Sequence, residues 1–250
     1  MRVFIPTARW LSARVKPSQS ALIKLGTGYG GWVIAEPLPG ADKRYALLCG
    51  AGEDVSFDIS LQQSIDINCV IIDPTPRAID HWQSLLESIN SDEPLAINSS
   101  PTDFYDLIGV DFSKIHYAPY AVWIRNEDLK FWSPRNPKHV SFSAANIQNT
   151  NDYVLVPGKT LEALSPVPAN DVEIVKLDVE GIGSLILSWM IQSNFLPRQI
   201  LVEFEECIFP SLRRDQDVKR NVRALEGLGY DLVHFDGIAN ATFLRIEQAD

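Results

Sequence analysis

The chain has 250 residues, a formal net charge of -10 and a pI near 4.9, a balance that argues against a general nucleic-acid binder, which needs a basic face for phosphates. Apolar residues make up 46 % of it and charged residues 22 %, ordinary globular usage, so a substantial core is expected. No stretch approaches a membrane span and Met1 to Trp10 lacks a long apolar core, so a soluble cytoplasmic protein with no membrane partner is expected. The 3 cysteines, Cys49, Cys69 and Cys207, are far apart and form no C-x-x-C pair, which favours buried free thiols over disulfides or a zinc site.

Residues 1–44 read as a poorly patterned lead-in packed on a main domain of residues 45–250. The run Gly26-Thr27-Gly28-Tyr29-Gly30-Gly31-Trp32 lacks the Gly-Lys-Ser/Thr ending of a phosphate loop and reads as a β-turn with Trp32 as a packing anchor. Tyr45 to Cys49 is then a short apolar strand ending in Gly50 and Gly52. A helical segment follows, and a second strand, Cys69 to Ile72, ends in Asp73. Strand, glycine turn, helix, strand and acid outline a nucleotide-binding half of an open α/β sheet. Pro76 to Asn90 places Ile79, Trp82, Leu85, Leu86 and Ile89 on one helical face.

Ser91 to Ser113 is loop-like with one short helix, and Ile115 to Ile124 suggests a strand ending near Tyr120. Asn126-Glu127-Asp128 reads as the turn of a β-hairpin extension between Ala121–Ile124 and Leu129–Trp132. The polar segment around His139 has the character of a substrate loop. Alternation resumes with a strand at Val172–Leu177. A helix over Ile182–Asn194 follows, burying Leu185, Ile186, Trp189 and Met190, then a strand at Gln199–Phe204. A helix over Arg213–Gly229 buries Val218, Val222, Leu225 and Leu228, and a closing strand pair spans Asp231–Phe235 and Ala241–Ile246.

The glycine turn lacks the third glycine of a dinucleotide fingerprint and continues into Glu53 and Asp54. Like unit charges at ~4 Å repel by about 1 to 4 kcal/mol at effective dielectrics of about 80 to 20, which counts against a pyrophosphate there. S-adenosylmethionine carries no phosphate, and its sulfonium and ammonium suit an acidic turn. Asp73 is placed to accept hydrogen bonds from both ribose hydroxyls. The competing reading is that Asp54 or Ser56 only caps the helix.

Gly50-Ala51-Gly52-Glu53-Asp54-Val55-Ser56-Phe57-Asp58, Asp73-Pro74-Thr75-Pro76 and Val175-Lys176-Leu177-Asp178-Val179-Glu180-Gly181 together resemble the FkbM-type family of S-adenosylmethionine-dependent methyltransferases. The resemblance runs from about Gly26 to Phe243. It implies an α/β, Rossmann-like methyltransferase fold with a mostly parallel seven-stranded sheet whose last pair is antiparallel. It also implies O-methylation with S-adenosylmethionine as donor. Cofactor contacts then fall on Gly50, Ala51, Gly52, Glu53, Asp54, Asp73 and Ala121. Cys49 departs from the acid that many methyltransferases of this fold place before the glycine turn, so Glu53 or Asp54 is expected to meet the donor's amino group.

Asp178 and Glu180 are two apart at a strand end, as are Glu203 and Glu205, so neighbouring strands would gather four carboxylates at the sheet's carboxyl edge. A general base for an acceptor hydroxyl, a divalent-cation site and a solvated strand end compete for these acids. Asp178 is the first candidate base or orienter, and Glu180 the second. Of His81, His116, His139 and His234, none form a zinc-type pair, and His139 is the candidate acid/base or acceptor contact. The expected partner is a sugar or other hydroxylated small molecule. The alternatives are a nicotinamide-dependent (NAD(P)) oxidoreductase and a non-catalytic module of the same fold.

Overall fold

The computed structural model describes residues 6–36, 44–91, 93–97, 100, 102–133, 144, 149–209 and 211–246. The lead-in contributes helix α1 (Thr7–Ser12) and an antiparallel hairpin, β1 (Leu22–Leu25) with β2 (Trp32–Ala35), whose loop is the glycine run. Then follow β3 (Tyr45–Cys49), α2 (Ser56–Ile65), β4 (Asn68–Ile72), α3 (Pro76–Ser91), β5 (Ile115–Ala118), β6 (Ala121–Val122), β7 (Glu127–Trp132), β8 (Tyr153–Lys159), α4 (Leu161–Leu164) and β9 (Val172–Leu177). The chain closes with α5 (Gly183–Ser193), β10 (Gln199–Glu203), α6 (Leu212–Gly227), β11 (Tyr230–Phe235) and β12 (Asn240–Arg245). No helix among the described residues is long and apolar enough to cross a membrane.

Seven strands form one sheet in the order β11-β12-β10-β9-β3-β4-β5, parallel except where β12 runs against both β10 and β11. This is the expected Rossmann-like methyltransferase arrangement. The central strands are continuous apolar runs because both faces of the sheet are covered. Along β3, Leu47 and Cys49 enter one core with Ile186, Met190, Val218 and Val222 of α5 and α6. Ala46 and Leu48 enter the other with Phe57, Leu61, Trp82 and Leu85 of α2 and α3. The period-two side-chain alternation of a strand thus feeds two helix layers. Strand order reverses between β3 and β9, and a crevice at the carboxyl ends of these two strands is where such sheets bind ligands.

The hairpin β1–β2 is stitched to that sheet by polar contacts. The Gln199 side chain donates to the Ala35 carbonyl and accepts from the Ala35 amide, both at 2.9 Å, and the Thr242 hydroxyl donates to the Val33 carbonyl at 2.6 Å. Trp32 is buried, as its expected anchoring role requires.

Several expectations are corrected in detail. The extension exists, but its hairpin is not the expected one: β8 lies between β6 and β7, antiparallel to β7 and parallel to β6. Glu127 and Asp128 therefore lie within β7 and do not form a turn. The strand Tyr153–Lys159 that displaces the predicted pairing contains Pro157 and Gly158, which masked its β pattern. On α3 the buried face is Ala78, Trp82 and Leu85, while Leu86 and Ile89 are exposed. On α5 Leu187 is buried in place of Leu185, and Leu228 after α6 is also exposed. These helices use a narrower apolar stripe than the sequence offers. Cys49 and Cys69 are buried free thiols, raised by burial above the ordinary thiol range, and Cys207 is free and half-buried.

Candidate functional site

At the switch between β3 and β9, the carboxyl ends of the strands open into a cavity of about 230 Å³. It is lined by the backbone turn Gly50–Gly52, by Asp73 and Lys176, by the carboxyls of Asp178, Glu180 and Glu203, and by the aromatic rings of Tyr29, Tyr120 and Phe131. The structure thus brings together Gly50, Ala51, Gly52, Glu53, Asp54, Asp73, Ala121, Asp178 and Glu180 of the sequence candidates. His139 lies outside the described residues.

Gly50 has φ +88°, and a Cβ there would stand 1.8 Å from the Asp178 carbonyl oxygen, so only glycine allows β3 and the end of β9 to meet. Gly52 has φ +54° with open space around it. The turn between them is held by Asp73. Its Oδ2 accepts from the amides of Ala51 (2.9 Å) and Gly52 (3.1 Å), and its Oδ1 accepts from the amide (2.8 Å) and hydroxyl (2.7 Å) of Thr75. A carboxylate offers about four acceptor positions, so all are engaged. Of these four donors the Thr75 hydroxyl is the one that can rotate away, since the backbone amides are fixed.

The two acids of the turn are engaged by the protein as well. Glu53 pairs with Arg77 at 2.9 Å, which offsets its charge and weakens the repulsion expected against a phosphate. Asp54 is buried; it accepts from the Thr27 hydroxyl at 2.7 Å and the Ser56 amide at 2.9 Å. The first amide of α2 is satisfied by Asp54, in line with the capping reading. The glycine loop of the β1–β2 hairpin is pinned against the Gly50–Gly52 turn by the same carboxylate. That loop presents Tyr29, 78 % exposed, whose phenol is raised by partial burial and by the charges of Asp178, Glu180, Glu203 and Asp54.

The four expected carboxyls do gather at the sheet edge, although Asp178, Glu180 and Glu205 lie just past the strands, where the two-residue spacing no longer fixes a face. They stand in two pairs, Glu203 beside Asp178 and Glu205 beside Glu180, and Glu203 and Glu205 are each raised to about 9, first by burial and then by the neighbouring acids. Among the described residues, no group of three or more His, Cys, Asp or Glu is arranged to hold a metal ion.

Sequence reasoning missed two charged residues below this edge. Lys176 is 2 % exposed in the all-buried strand β9, donates to the Gly50 carbonyl at 2.7 Å and pairs with Asp178 at 3.3 Å. Burial opposes its charge, but Asp178 and Asp58 outweigh it and raise the ammonium. Asp58 on α2 is fully buried, neither of its carboxyl oxygens has a hydrogen-bond partner, and burial pushes it up to about 7. The signal for both was a charge within an otherwise apolar run. His81 on α3 is half-buried, and its Nε2 lies 2.8 Å from the Tyr105 hydroxyl.

No protein-family model matches the chain, and no curated protein does. Solved structures overlap it loosely. One in a fibrillarin/Nop5p complex is 10 % identical over 82 % of this chain and 73 % of that one, with a TM-score of 0.38. A putative S-adenosyl-L-methionine-dependent methyltransferase from Methanococcus maripaludis is 9 % identical over 83 % of this chain and 80 % of that one, with a TM-score of 0.38. TYW2 of M. jannaschii, in complex with AdoMet, is 13 % identical over 92 % and 89 %, with a TM-score of 0.34. Overlaps this loose leave the chemistry to be read from the chain's own residues.

Gly50→Ala should lower the thermal midpoint by more than the about 1–3 kcal/mol of a strained backbone alone implies, whereas Gly52→Ala, with open space around it, should cost only that strain. Equal effects of the two in thermal denaturation would contradict the close approach of Gly50 to Asp178.

The raised acids set a pH dependence of stability. An acid whose folded value lies above its unfolded one stabilises fully below the unfolded value and loses that contribution as pH rises through the folded one. For Glu203 and Glu205 the window runs from the ordinary 4.5 to about 9, and for Asp58 from 3.8 to about 7. Urea midpoints should therefore fall between pH 6 and pH 9, and Glu203→Gln combined with Glu205→Gln should flatten the decline. A midpoint that rises over this range would contradict the raised acids.

Proposed function

We propose that the protein transfers a methyl group from S-adenosylmethionine to a hydroxyl oxygen of a small molecule or sugar, as its resemblance to the FkbM-type family implies. The observation that carries this reading is the chemistry of the cavity. A glycine turn at the topological switch point opens onto the carboxyl groups of Asp178, Glu180 and Glu203. The cation among the described lining residues, Lys176, is engaged by Gly50 and Asp178, whereas a phosphate ligand would call for available cationic side chains. A sulfonium and an ammonium suit that lining.

In this reading Gly50, Ala51 and Gly52 let the donor approach the backbone. Asp73 receives a ribose hydroxyl in place of the Thr75 hydroxyl. Glu53, Asp54 and Ala121 flank the donor. The methyl leaves the sulfonium sulfur and bonds to the acceptor oxygen, while the hydroxyl proton passes to a carboxylate, leaving S-adenosylhomocysteine and a methyl ether. Asp178 is the proposed base or orienter and Glu180 the reserve, because both line the cavity. Alignment of donor and acceptor supplies much of the acceleration available to such a transfer, and the aromatic rings of Tyr29, Tyr120 and Phe131 are where an acceptor ring would be held.

The test is transfer of a radiolabelled methyl from S-adenosylmethionine to a panel of sugars and small alcohols. Asp178→Asn should lower turnover by about a hundredfold or more, the usual range for an acid–base group, with S-adenosylhomocysteine affinity held within about threefold. Full activity in that variant would remove Asp178 from the mechanism.

A further inference from the structure

A lysine in the middle of a strand buried on both faces is costly unless its ammonium is paired and hydrogen-bonded. Every other residue of β9 except Glu173 is apolar, and an apolar side chain at position 176 would satisfy the packing between Trp32 and α2. The two contacts of Lys176 lead out of the core in two directions. One is the Gly50 carbonyl, at 2.7 Å, in the turn proposed to seat the donor. The other is the Asp178 carboxylate, at 3.3 Å, on the wall proposed to face the acceptor. The same two segments touch through their backbones, where the Asp178 amide donates to the Cys49 carbonyl at 3.0 Å and Gly50 has room for no side chain.

We propose that Lys176 is a positioning residue for the transfer: its buried ammonium ties the donor turn to the Asp178 carboxylate and holds that carboxylate against the cavity. The proposal rests on the donor reading above. Asp178 and Asp58 face Lys176 with the buried Cys49 thiol, and its Nζ is 5.9 Å from the centre of the Trp32 ring. Glu203 faces Asp178, Glu180 and Glu205. Without Lys176, Asp178 would lose the ammonium that anchors it among these acids.

Two variants separate the two contacts. Lys176→Met removes both the donor to Gly50 and the charge, whereas Lys176→Gln keeps a donor and removes only the charge. Far-UV circular dichroism checks that each is folded. Calorimetry with S-adenosylhomocysteine should show about a tenfold loss of affinity in Lys176→Met and less than threefold in Lys176→Gln. Carbon-13 NMR of the aspartate carboxyls should show the Asp178 signal displaced in both variants, as loss of an ammonium 3.3 Å away requires. If Lys176→Met does not fold, Lys176→Gln carries the NMR arm alone, and an undisplaced Asp178 signal there overturns the proposal. Wild-type affinity in Lys176→Met with an undisplaced Asp178 signal would overturn the role of Lys176. Absence of any S-adenosylhomocysteine binding by the wild type would instead remove the donor reading, and this proposal with it.

Discussion

The carboxylate of Asp73 holds the end of β4 to the glycine turn after β3 and to Thr75 ahead of α3. Everything that makes the crevice a site follows from that clamp. The amides of Ala51 and Gly52 are turned inward because a buried carboxylate accepts from them, and burial strengthens such charge-assisted bonds. With the turn fixed, Gly50 rests against the backbone of Asp178 and its carbonyl meets the ammonium of Lys176. The clamp, the close approach and the buried lysine are three successive contacts between β4, β3 and β9, the strands that flank the topological switch.

A second layer of polar contacts sets the mouth. The Thr27–Asp54 bond pins the hairpin loop over the glycine turn, and the Gln199 and Thr242 contacts fix the hairpin strand behind it. The lead-in thereby supplies Tyr29 and Trp32 to the cavity lining. Opposite stand the two carboxyl pairs, whose burial and mutual repulsion favour the protonated form. An edge of this kind carries less negative charge at neutral pH than four free carboxylates would.

Much of this was legible in the sequence. The alternation of short, mostly apolar strands with amphipathic helices gave the α/β elements and a closing strand pair, because strands covered on both faces are mostly apolar; the seven-stranded sheet with an antiparallel end came from the family resemblance. The acids at strand ends were legible for the same reason, since a charge at the end of such a run has to face the crevice or solvent. The strand pairing within the extension was not, because its central strand carries Pro157 and Gly158 and pairs across more than twenty residues. Lys176 and Asp58 were quoted as parts of motifs without a role; a buried charge announces itself only when its partners, far away in sequence, are known. Glu53 was read as a bare charge because Arg77, 24 positions on, was not placed beside it.

The central claim is that this turn seats a nucleoside donor without phosphates. The most direct measurement is a pair of calorimetric titrations of the same protein, one with S-adenosylhomocysteine and one with NAD. The account predicts saturable one-site binding of S-adenosylhomocysteine and no heat from NAD. Tight binding of NAD with none of S-adenosylhomocysteine would contradict it.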